Sequence, residues 1–190
     1  MQTIDLKGVK RTDLGKKVAK QLRVEELVPC VLYGKGEVLH FSAHVNEFRN
    51  LIYTPHVHIV NLNVDGVAKK AILKDIQYHP VSDAILHVDF LEITEDGAIV
   101  MEIPVKLNGL AEGVKAGGKL QLEMRKLKVK SLPKDMPDTL DIDITNLGLG
   151  KGIKVGDLNF DNIEILNAKN AVVVAVKLTR AARAAAQGGK

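Results

Sequence analysis

The sequence predicts a mainly β protein with minor α content. It divides into an N-terminal antiparallel β-barrel carrying two short helices and a second all-β domain. Three observations predict this. Apolar runs in the first half are joined by hairpin-type turns, with Asp65-Gly66 between His56–Val64 and Val67–Gln77, and not by helical crossovers. Composition changes at Thr94-Glu95-Asp96-Gly97, since all six histidines and six of the seven aromatics lie before residue 91. Beyond that turn, short β-type runs recur between Gly- and Pro-containing turns.

Gly15 to about Glu26 has helical spacing, with Val18, Ala19 and Leu22 on one face. Pro29–Tyr33 is a short apolar strand ended by Gly34-Lys35-Gly36, and Glu37–Ser42 continues as its partner. His44–Tyr53 reads as a second helix, with Val45, Phe48, Leu51 and Ile52 on a face and Thr54-Pro55 closing it. The Asp65-Gly66 hairpin follows, and Ala84–Ile93 alternates cleanly as the last strand of the barrel. In the second half, strands are expected at Ile99–Leu107, Leu120–Ser131, Leu140–Ile144, Glu164–Ile165 and Ala171–Leu178. Gly113–Gly118 and Asn146–Gly156 are read as turns. The resulting division is residues 1–94, residues 95–179 and a basic tail over residues 180–190.

Composition narrows the function classes. Hydrophobic residues make up 46% of 190, so the chain can bury a core. The single Cys30 excludes a disulfide framework or a multi-cysteine zinc site and suits a reducing compartment. No apolar run approaches ~18 residues, and the opening residues show no secretory h-region. A soluble cytoplasmic protein with no membrane partner is expected. Charge is uneven. Residues 1–23 carry seven basic side chains against Asp5 and Asp13, residues 115–134 carry seven against Glu123, and residues 135–164 carry seven acids against Lys151 and Lys154.

Enzyme chemistry finds little support. Gly148-Leu149-Gly150-Lys151-Gly152 lacks the spacing and the following Ser/Thr of a phosphate-binding loop, so a β-turn is expected. Cys30 sits between Pro29 and Val31 in an apolar run, the setting of an inert buried thiol. His56 and His58, with His87 and Asp89, form two same-face pairs that would make a metal site if the fold joined them. A metal-dependent enzyme is therefore one alternative, and a stress-related module binding acidic proteins is another. No cofactor and no small-molecule substrate are expected.

Two features point to a polyanion instead. At 100° per residue, Lys16, Lys20 and Arg23 share a narrow wedge opposite the apolar stripe, which suits a helix laid along phosphates. On the last barrel strand, Leu86, Val88 and Phe90 are expected to point inwards while His87 and Asp89 point out, with Ile85 and Leu91 on the same outward face. Asp89 would be repelled by phosphate, so it is read as orienting His87 or accepting from a base edge. Tyr33 ends a strand at a glycine turn, within reach of a ribose or base. Lys74 and Gln77 stand at odd separation, so only a bulge would put both on one face.

The motifs Gly15-Lys16-Lys17-Val18-Ala19-Lys20-Gln21-Leu22-Arg23, Val28-Pro29-Cys30-Val31-Leu32-Tyr33-Gly34, Leu73-Lys74-Asp75-Ile76-Gln77-Tyr78-His79-Pro80 and Leu86-His87-Val88-Asp89-Phe90 together resemble a known family. It is the bacterial large-subunit ribosomal protein family that binds 5S rRNA, in its two-domain Ctc (general stress protein) form. Ile103-Pro104-Val105, Gly109–Lys115, Gly117–Leu120, Leu132-Pro133 and Asp143–Leu147 are similar to the second domain of that form. The resemblance implies a barrel that docks on the loop E region of 5S rRNA within the large (50S) subunit. It also implies that Arg11, Lys16, Lys20, Arg23, Tyr33, Lys74, Gln77, His87 and Asp89 face the RNA, with 5S rRNA and neighbouring ribosomal proteins as partners. Where that family often carries paired arginines, this chain has Lys20-Gln21, a point charge beside a neutral amide.

Overall fold

The structure, a computed structural model, describes residues 2–34, 36–94 and 97–180. The chain forms two compact units, Met1–Gly97 and Ala98–Lys190. Glu95 and Asp96 of the expected boundary turn, and residues 181–190 of the expected tail, lie outside the described residues.

The first unit is a closed barrel of β1 (Gln2–Lys10), β2 (Leu27–Tyr33), β3 (Leu39–His44), β4 (His58–Val64), β5 (Val67–Tyr78) and β6 (Ile85–Glu92). The strands close in the order β1-β3-β2-β6-β5-β4. The expected barrel is present, but its strand directions are mixed. Four seams are antiparallel, while β1 runs parallel to β4 and β2 parallel to β6. Hairpins set the direction of strands adjacent in sequence. The two parallel seams join strands distant in sequence, and counting hairpins does not show which of these become neighbours.

Strand β1 lies in a stretch whose charge, Lys7 and Lys10 included, masks its strand pattern. Its alternation is nonetheless regular. Leu6 is fully buried between exposed Asp5 and Lys7, and residues 2–8 pair in register with residues 58–64. Asp65 and Gly66 both have positive φ (48° and 87°), as the tight β4–β5 turn requires. The Asn63 side chain accepts from the Gly66 N–H at 3.0 Å.

The core fills from every strand: Leu6, Cys30, Leu32, Phe41, Leu62, Val88 and Phe90 are almost wholly buried. The expected second helix is split into a 3-10 turn, Val45–Phe48, and a short α2, Arg49–Ile52. This segment inserts Phe48 beside Phe90 (ring centroids 6.5 Å apart), which in turn packs on Phe41 at 5.8 Å. Each such ring contributes roughly 1.5–3 kcal/mol by leaving water. Burial pushes the Cys30 thiol far up, in keeping with an inert core residue.

The strands of the second unit are β7 (Ile99–Asn108), β8 (Lys119–Leu122), β9 (Lys126–Ser131), β10 (Leu140–Asp143), β11 (Gly152–Lys154), β12 (Glu164–Ile165) and β13 (Val172–Lys177). One sheet has the order β10-β7-β9-β12 and the other β11-β13-β8. The expected single run Leu120–Ser131 is two strands in different sheets. The break falls at Glu123-Met124, whose N–H groups both donate to the Val173 carbonyl (2.9 and 3.2 Å). A short helix, α3 (Glu112–Lys115), and β11 occupy stretches read as turns. The Gly148–Gly152 segment is a turn stitched to β13, with Gly150 N–H on the Val176 carbonyl and Val176 N–H on the Lys151 carbonyl (both 2.9 Å).

Candidate nucleic-acid interface

Helix α1 (Lys16–Val24) starts at Gly15 without a side-chain cap and buries none of its residues fully. Glu26, in a left-handed conformation (φ 60°), confines it to fewer residues than its apolar period suggested. Val18, Ala19 and Leu22 are half-buried, and the helix packs against β2. Lys16 and Lys20 are exposed, as the wedge predicted. Arg23 is exposed too, but its guanidinium turns back to the barrel, donating from Nε and Nη2 to the Leu86 carbonyl at 3.0 and 2.9 Å. That carbonyl lies ahead of the first β2–β6 pair, Cys30 with Val88, and Pro29 brings no N–H to it. The helix is therefore tied to the residue immediately before His87.

The outward face of the barrel wall collects the other candidates. Register pairs Gln77 with His87, Val31 with Asp89, and Tyr33 with Leu91. On neighbouring strands, residues opposite one another share a face, so these side chains stand outside while Val88 and Phe90 fill the core. Between Leu73 and Asp75 the β5–β6 register shifts by one residue, and Lys74 is the extra one. The extra residue turns Gln77 to the outward face that Lys74 already occupies, and both are exposed.

His87 Nδ1 lies 2.6 Å from Asp89 Oδ1, with the two side chains 28% and 29% exposed. The nitrogen is off the line of a hydrogen bond, so this is a close polar contact between alternate positions of one strand. Burial, then the negative charges of Asp89 and Asp75, push the Tyr33 phenol up. Arg11 follows β1, with its N–H on the His40 carbonyl at 2.9 Å, and His40 pairs with Val31. Its half-buried side chain donates to the Asp13 carbonyl at 3.4 Å and leaves a buried Nε without a hydrogen-bond partner among the described residues.

An outward row thus runs from Arg11, just past β1, through His40, Val31, Asp89 and Asp75 on four strands. His40 and Asp75 were not singled out from sequence. The alternation of β3 would have shown the first, whereas the second depends on the bulge.

The alternative metal constellation does not assemble. His58 faces inwards at the start of β4 with Val60 and Leu62, its Nε2 2.9 Å from the Thr54 hydroxyl. His87 and Asp89 face outwards on β6, and β5 stands between the two strands. The barrel wall separates His58 from His87 and Asp89, and His56 is exposed ahead of β4, so His56 and His58 do not share a face as expected. In the second unit, Lys126, Lys128 and Lys130 form an exposed row on β9, but Glu102 lies 3.8 Å from Lys128 and Glu164 lies 3.5 Å from Lys130. These carboxylates offset two of its three charges.

By class, this is a two-unit β protein whose first unit is a six-stranded barrel with a cationic helix tied across its outer face. The Ribosomal L25p family matches residues 6–90, and "Ribosomal protein TL5, C-terminal domain" matches residues 98–180. Relatives named "Large ribosomal subunit protein bL25" are 59% identical in Phocaeicola vulgatus and 56% in Bacteroides thetaiotaomicron, each over the whole of both chains. One from Porphyromonas gingivalis is 57% identical over 98% of each chain. The chain belongs to the ribosomal L25p family, as a two-domain member, and is a structural ribosomal protein with no catalytic role.

Proposed function

We propose that this protein binds 5S rRNA in the large ribosomal subunit, at a distorted internal loop of the loop E type, through the outer face of its first domain. The observation that carries the reading is the joining of a lysine-bearing helix to a polar sheet face by Arg23 and Leu86. Lys16, Lys20, Lys74 and Arg11 supply charge for phosphates, while Tyr33, Gln77, His87 and Asp89 supply groups that contact bases and riboses. A regular A-form major groove is too narrow for these side chains, whereas an internal loop opens base edges to them. Residues 1–94 carry the binding, and residues 95–179 face neighbouring components of the subunit. The protein works in the cytoplasm, on the ribosome.

The test is binding of the full chain to 5S rRNA and to an unrelated duplex of equal length, over a range of salt concentrations, with nuclease footprinting. The proposal expects clear preference for 5S rRNA and protection centred on an internal loop. Equal affinity for both RNAs would overturn it.

A further inference from the structure

The bulge at Lys74 also decides which way Asp75 faces. In a regular ladder continuing from Leu73 opposite Phe90, Lys74 would face Asp89 and Asp75 would turn inwards. The extra residue instead sets Asp75 directly opposite Asp89, both on the outer face. Their Cα atoms are then about 5 Å apart, the spacing of opposed residues.

Like charges opposed across a ladder destabilise it. No lysine or arginine among the described residues pairs with either carboxylate. Asp75 Oδ1 accepts from the Ile76 N–H at 2.9 Å, and Asp89 has its contact with His87. One oxygen of each is left for a partner outside the protein.

An ionised carboxylate only accepts hydrogen bonds, so this pair rejects phosphate and favours N–H donors. In RNA those donors are the imino and amino groups of base edges, most of which a regular duplex already engages in pairing. Around the pair, Lys74 stands beside Asp75 and Arg11 ends the row just past β1, so cations flank an acidic centre.

Building on the 5S rRNA reading, we infer that Asp75 is a specificity-determining residue: with Asp89 it selects an unpaired base edge bearing N–H donors and turns phosphates away. It fixes which part of the RNA can lie over β5 and β6.

The experiment compares wild-type chain, Asp75→Asn and Asp75→Lys against 5S rRNA and an unrelated duplex. Asp75→Asn is expected to weaken 5S rRNA binding about tenfold. Its affinity for the unrelated duplex should stay the same or rise, because a negative charge is gone. Asp75→Lys should tighten the unrelated duplex further while 5S rRNA stays weakened, so the preference collapses. Thermal midpoints at or above wild type would show that lost binding is not lost folding. If both variants keep the wild-type ratio between the two RNAs, Asp75 has no part in selection and the inference falls alone. If the wild-type chain itself shows no preference, the functional proposal fails and takes this inference with it.

Discussion

Arg23 on α1 grips the carbonyl of Leu86 on β6 with two guanidinium N–H groups, at 3.0 and 2.9 Å. This places a helix with no fully buried residue and no side-chain N-cap against the strand that carries His87 and Asp89. A charged donor shared over one exposed carbonyl contributes on the order of 1 kcal/mol to docking. Arg23→Ala should therefore speed hydrogen exchange through Lys16–Val24 and weaken RNA binding. Arg23→Lys should not restore it, because an ammonium lacks the planar fork. Wild-type exchange rates in the alanine variant would show that the tie is dispensable.

Lys16 and Lys20 are exposed on the face of α1 away from its half-buried stripe. Their contribution should be independent of RNA sequence. Replacing either with alanine is expected to lower the slope of log K against log salt by about one unit, on 5S rRNA and unrelated duplex alike. A filter-binding titration reads this directly, and an unchanged slope removes that lysine from the interface.

How much of this was legible in the sequence follows from which forces are local. The Asp65-Gly66 turn, the alternation from His87 to Phe90 and the apolar period of α1 are written in neighbouring residues. The turn formed where expected, the helix is shorter, and the alternation breaks at Leu86, where the register shifts and Ile85 turns inwards. The parallel seams were not legible, since they depend on strands far apart in sequence. The bulge was legible only as a condition: Lys74 and Gln77 needed one to share a face, and nothing local placed it. The turning back of Arg23 depends on a carbonyl more than sixty residues away. Sequence thus gave the residue types of the site, and tertiary pairing chose their company.

His87 and Asp89 stand two apart on β6 with a 2.6 Å contact, each about a quarter exposed. His87→Ala and Asp89→Ala are expected to cost about 1–3 kcal/mol on 5S rRNA and little on an unrelated duplex. Competition binding with both RNAs distinguishes this from a general loss of attraction. Equal losses on the two would mean that the pair maintains the sheet and reads nothing.

Gly8 on β1 leaves no room for a methyl group. A Cβ there would come within 2.6 Å of Phe41 Cδ2, and Phe41 is fully buried against Phe90. Gly8→Ala should destabilise the protein by about 1–3 kcal/mol through displacement of that ring. Urea unfolding should show a lower midpoint with the slope retained; an unaltered midpoint would mean that β1 shifts to make space at no cost.

In the second unit, Asp143 at the end of β10 accepts from the Thr145 hydroxyl at 2.5 Å and from the Thr145 N–H at 2.9 Å. These bonds, the hydroxyl's first, hold its carboxyl below the ordinary aspartate value of 3.8. A group with a depressed folded-state pKa stabilises the fold above its unfolded pKa, and that contribution disappears as pH falls through the folded value. The loss is therefore confined to the acidic side of the ordinary carboxylate range, and neutral stability is untouched by moderate acidification. Thr145→Val removes the hydroxyl and keeps the backbone bond, so carboxyl-carbon NMR titration should show Asp143 moving part of the way back towards 3.8. An Asp143 that titrates at the same pH in both proteins would assign the depression to the backbone N–H alone.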